Sequence, residues 1–175
     1  MSSFRIGALA LTMIGALVAG CTDDQYNWQR PEIPVATPAA LIDASDPQPI
    51  SEIAARYGDA YWERDTYRDP RVRAHAGDIP YMIEFYGCSE GRDCTDLRLV
   101  ARFPPDQGDD RRSNAERIKA WNGETRFGKA WIDTEGAIIL EMNLNLGGGV
   151  TRQNLDLSFD WWVLSLKQFL RTIGT

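Results

Sequence analysis

Two runs of alternating apolar residues, 81–86 and 97–103, flank a short polar loop with a cysteine at each end, Cys88 and Cys94. Alternation with a period of two places the apolar side chains on one face of an extended strand. Two such runs around a loop containing Gly91 read as an antiparallel hairpin. Five residues, Ser89, Glu90, Gly91, Arg92 and Asp93, separate the cysteines. The flanking strands would set the two thiols opposite one another, close enough for a disulfide. A metal or redox role is the rival reading. It is the poorer one, because two thiols do not fill a tetrahedral zinc shell and the chain's single histidine is His75.

Other elements arrange themselves around this hairpin. Ile50, Ile53, Ala54 and Tyr57 recur at helical spacing, with Ser51 near the start and Gly58 as a stop. Residues 60–67 and 72–76 suit strands, and Pro104, Pro105 and Gly108 end the sheet run. Ser113-Asn114-Ala115-Glu116 fits a capping box, opening a second helix that reaches Trp121-Asn122 and stops at Gly123. Strands over 126–132 and 137–146 follow, joined by the turn Asp133-Thr134-Glu135-Gly136. Gly147, Gly148 and Gly149 then break the chain before a last helix over 151–172, with Thr151 as its N-cap. On that helix Leu155, Phe159, Trp162, Leu166 and Phe169 form one apolar stripe, and Leu157, Trp161 and Leu164 a second. A helix apolar on two sides is either sandwiched in a core or partly exposed for a partner, so Leu157, Trp161 and Leu164 are the candidate partner-binding residues. The order of elements predicts an α+β domain, an antiparallel sheet packed with about three helices.

The N-terminus determines where such a domain would work. Arg5 precedes an apolar run over 6–18, and Val18-Ala19-Gly20-Cys21 resembles a bacterial lipobox. Spanning a bilayer needs about 20 apolar residues, so the run reads as a secretory signal. The reading gives a signal peptide over 1–20, acylation at Cys21 and a periplasm-facing lipoprotein of the bacterial envelope. Thr22 in place of Asp leans toward the outer membrane by the enteric sorting rule. Each buried methylene contributes about 0.8 kcal/mol, so two or more acyl chains hold a protein stably. With Cys21 consumed, the odd count of three cysteines becomes the pair Cys88 and Cys94. Five of the nine prolines (Pro31, Pro34, Pro38, Pro47 and Pro49) fall before residue 50, so 21–49 reads as a tether and 50–175 as the folded domain. The mature chain would carry 18 basic against 25 acidic residues, a net charge of −7. Nucleic acid is therefore not an expected partner, and the membrane is reached through lipid rather than charge.

Five local motifs stand in a fixed order between about residues 50 and 173: Phe85-Tyr86-Gly87-Cys88 with Cys94, Trp121-Asn122, Phe127-Gly128-Lys129-Ala130, Asp133 with Gly136, and Gly148-Gly149-Val150-Thr151. In these the chain resembles the YbjN-domain family, also labelled bacterial sensory transduction regulators. The resemblance implies a fold shared with type III secretion chaperones, small acidic α+β proteins that pair and bind extended segments of clients. It attaches no catalytic residues.

Catalytic and ligand chemistry finds little support in the residues. His75 sits in an alternating strand and reads as structural. Asp106, Asp109 and Asp110 match no EF-hand spacing, and the triple glycine lacks the lysine of a phosphate-binding loop. No metal or cofactor site is expected. The expected function is a non-enzymatic envelope module that binds a protein or peptide, with a homodimer as one arrangement. A small-ligand or lipid carrier is the alternative. An enzyme using Glu84 and Glu141 as paired carboxylates ranks last.

Overall fold

The computed structural model describes residues 41–104 and 111–174. Eight strands and three helices follow one another in these residues: β1 (Leu41–Ile42), α1 (Pro47–Ala54), β2 (Ala60–Arg64), β3 (Pro70–Ala76), β4 (Ile79–Tyr86), β5 (Asp96–Phe103), α2 (Arg111–Glu124), β6 (Lys129–Ile132), β7 (Ile138–Asn145), β8 (Val150–Thr151) and α3 (Arg152–Ile173). This is the expected α+β architecture. Six strands form an antiparallel sheet in the order β2-β3-β4-β5-β7-β6, and β1 pairs with β8 in a separate two-stranded ribbon.

Alternation along the strands produces a sheet with two unlike faces. Val72 and Ala74, Ile83 and Phe85, Leu97 and Leu99, and Leu140 and Met142 point to one side and are buried. Against them lie Ile50 and Ile53 of α1, Ile118 and Trp121 of α2, and the α3 residues Leu155, Phe159, Trp162, Leu166 and Phe169. The α3 stripe read from the 3.6-residue period is thus the core stripe. The opposite face, including Arg71, Glu84, Arg98 and Glu141 of the strands, is not covered by any described helix.

Several boundaries differ from expectation, each for a local reason. The folded part begins before residue 50. Asp46 N-caps α1 by accepting from the Gln48 amide at 2.9 Å, and Pro47, counted with the tether, opens the helix. Proline suits that position because the first helical N–H groups have no intrahelical partner. Leu41–Ile42, also counted with the tether, is held by β8, in register Leu41 with Thr151 and Ile42 with Val150. Gly149 adopts φ +84°, and a Cβ there would come within 2.8 Å of the Leu41 Cβ, so the last glycine makes room for β1. Strand β2 ends at Arg64 because the Asp65 carboxylate accepts from the amides of Tyr67 and Asp69 and turns the chain. Helix α2 starts before Ser113, so no capping box forms there. It runs past Gly123 to Glu124, where both the amide and the hydroxyl of Thr125 bond the Trp121 carbonyl.

The β6 edge of the main sheet is closed by a side chain. The Asn122 amide donates to the Ala130 carbonyl at 2.8 Å and accepts from the Ala130 N–H at 2.9 Å. A side chain on α2 thereby takes the place of a further strand beside β6.

Candidate protein-binding surface

Helix α3 is delimited by its own sequence. The Thr151 hydroxyl accepts from the Asn154 amide at 3.2 Å, and Gly174 at φ +83° returns its N–H to the Leu170 carbonyl. Twenty-two residues give a helix about 33 Å long. Trp161 and Trp162 are adjacent, so the helix points them about 100° apart. Trp162 is fully buried, edge-on to Tyr81 at 5.7 Å between ring centroids. Trp161 is 47% exposed, and Leu157 and Leu164 are 51% and 42% exposed. The second stripe therefore lies on the surface.

Phe127, in the loop between α2 and β6, lies against Trp161 with ring centroids 5.2 Å apart, and the Arg126 guanidinium lies over the Phe127 ring. Gly128, at φ +75°, carries that loop past Ser165 of α3. Two hollows of about 260 Å³ each open beside Trp161. One borders Leu157 and Met142, the other Thr125 and Gln168. On the other flank of the stripe, Asp156 pairs with Arg56 at 2.8 Å and Arg152 at 3.1 Å. Asp160 accepts from the Tyr57 hydroxyl at 2.6 Å; burial first, and then this bond, push the Tyr57 phenol up to about 12. Beyond Leu164, Lys167 and Arg171 stand exposed. Apolar residues ringed by charge make a surface suited to another protein.

The remaining candidate residues fall elsewhere. Cys88 and Cys94 are joined in a disulfide between β4 and β5, and Cys94 also bridges Ala44 on the segment entering the fold. Glu84 and Glu141 do approach one another, but Arg98 lies between them, 3.2 Å from Glu84 and 2.7 Å from Glu141. Glu141 accepts the Trp131 indole N–H as well. One guanidinium thus joins the two carboxylates across β4, β5 and β7. Among the described residues no group of three or more metal-ligating side chains forms. Cys21, Asp106, Asp109 and Asp110 lie outside the described residues, and no described helix is long and apolar enough to cross a membrane.

Two features escape sequence reading. Phe127 joins the stripe only through the turn at Gly128. On the uncovered sheet face, Met82, Val100 and Ile139 occupy positions that alternation reserves for polar groups, and with Tyr61, Arg73 and Arg102 they line a hollow of about 530 Å³. Their signal was an apolar residue out of phase, too weak to separate from noise in a single strand.

Comparison with known proteins places this fold. The crystal structure of YbjN from E. coli superimposes with a TM-score of 0.51 over 76% of this chain and 91% of that one, at 15% identity. No curated protein matches the sequence. The family model YbjN, "Putative bacterial sensory transduction regulator", matches residues 46–175. The match spans all three helices and the whole main sheet, and it begins at the α1 cap, Asp46. The chain belongs to the YbjN family.

Proposed function

We propose that this protein is a membrane-anchored lipoprotein of the bacterial envelope whose YbjN domain binds a protein or peptide partner in a regulatory or chaperone-like role. The observation carrying the reading is the row of Leu157, Trp161 and Leu164, exposed on a helix whose opposite stripe already fills the core. A helix needs only one apolar stripe to pack, so a second one on the surface calls for something else to cover it. The lipobox at 18–21 supports the anchor, and the charge surplus of the mature chain makes acylation its means.

The test uses the full chain with its own signal, in intact envelopes, with crosslinking and mass spectrometry. A specific envelope protein recovered by the native chain and lost in Trp161→Ala supports the binding role. Equal recovery by both chains removes α3 as the binding surface. Loss of palmitate labelling in Cys21→Ser supports the anchor, and labelling that persists refutes it.

A carrier of small ligands is the second reading, favoured by the hollow around Met82, Val100 and Ile139. That hollow lies on the uncovered face of the sheet rather than beneath it, so a ligand there would be half in water.

A further inference from the structure

We propose that the partner of the α3 stripe is a second copy of this chain, with the two α3 helices packed antiparallel about a two-fold axis near Trp161. The proposal rests on the reading of α3 as a binding surface and names what covers it.

Three observations carry it. The first is order along the helix. The exposed face runs Asn154, Leu157, Trp161, Leu164, Gln168, in steps of three and four. Polar, leucine, tryptophan, leucine, polar reads the same in both directions. A two-fold interface requires such self-complementarity, because a residue that meets a second must be met by it in return. Antiparallel packing sets Leu157 against Leu164 of the partner subunit and the two Trp161 rings side by side. An unrelated partner imposes no such symmetry.

Charge is the second. Asp156 and Asp160 border the N-terminal half of the stripe, and Lys167 and Arg171 the C-terminal half on the same flank. Lys167 and Arg171 make no ion pair among the described residues. Antiparallel helices bring Asp156 (already shared by Arg56 and Arg152) and Asp160 of each copy to the unpaired basic half of the other. Parallel helices related by a two-fold would place these flanks on opposite sides of the seam, where they could not meet, so the charges favour the antiparallel direction. Shape is the third. The two hollows lie either side of Trp161 along the helix, one toward Leu157 and one toward Gln168, where a two-fold presents equivalent side chains of the partner.

The experiment is cysteine crosslinking of the full lipidated chain in intact envelopes, with Trp161 retained. Leu157→Cys and Leu164→Cys chains carrying different tags are coexpressed and oxidised. The expected product is the mixed 157–164 dimer, severalfold above either self-pair and above the exposed turn control Thr66→Cys. Self-pairs in excess, or yields no higher than the control, overturn the proposal. Lys167→Glu in both chains should lower the mixed product severalfold and leave the Thr66→Cys control unchanged; an unchanged mixed product overturns the antiparallel register. If the stripe instead crosslinks to a different envelope protein, self-pairing fails while α3 remains a binding surface. If it crosslinks to neither, both readings fall.

Discussion

At the scale of single residues, two adjacent tryptophans have opposite fates. Trp162 is enclosed, whereas Trp161 is half in solvent. Trp162→Ala should cost about 3–5 kcal/mol of stability, the penalty for emptying a core site. Trp161→Ala should cost only about 1 kcal/mol, the ring pair with Phe127, while abolishing partner capture. Urea denaturation of the two variants checks the first pair of values; similar losses at both positions would refute the assignment. Tyr57 makes a second prediction. Its pKa in the folded state is about 12 against 10.0 for the free side chain, raised by burial and the bond to Asp160. A raised folded value means that the contribution to stability is complete below pH 10 and is lost as pH climbs through 12. Stability measured across that interval should fall less steeply in Tyr57→Phe than in the native chain.

Among the elements, the strands and α3 obey local rules and the edges do not. Strand β6 is only four residues long, and its outer backbone groups at Ala130 are satisfied by the Asn122 side chain. Asn122→Ala leaves both groups without a protein partner and should cost about 1–3 kcal/mol. It also opens a strand edge to association, so the variant should aggregate on heating at concentrations where the native chain stays clear. Light scattering during a thermal ramp, alongside denaturant unfolding, measures both effects. An unchanged midpoint would show that water serves the edge equally well.

For the molecule as a whole, the question is how the chain enters the domain. Leu41–Ile42 pairs with β8, and Ala44 bridges Cys94, so the entering segment is fastened to the start of α3 and to the disulfide hairpin. The double variant Cys88→Ser/Cys94→Ser should lose about 2 kcal/mol, the chain-entropy value for so short a loop. Because Ala44 is fully buried beside Cys94, the loss should appear early as hydrogen exchange over 41–45, before the sheet opens. Exchange confined to the hairpin loop would mean that the disulfide does not hold the entering chain.

The sequence by itself determined the type and order of the elements. Periods of two and 3.6, the Thr151 cap, the glycine breaks and the facing cysteines are local signals, and they act over a few residues wherever the chain goes. The resemblance to the YbjN family, read from motifs such as Phe85-Tyr86-Gly87-Cys88 and Phe127-Gly128-Lys129-Ala130, was legible for the same reason. Tertiary structure alone decided the rest. It put β7 between β5 and β6, covered one face of the sheet and left the other open. It brought Arg98 between Glu84 and Glu141, drew residues 41–49 out of the tether, and laid Phe127 on Trp161. Which of the two α3 stripes is buried was also settled there. Both are apolar and helically spaced, and only the sheet on one side of the helix distinguishes core from surface.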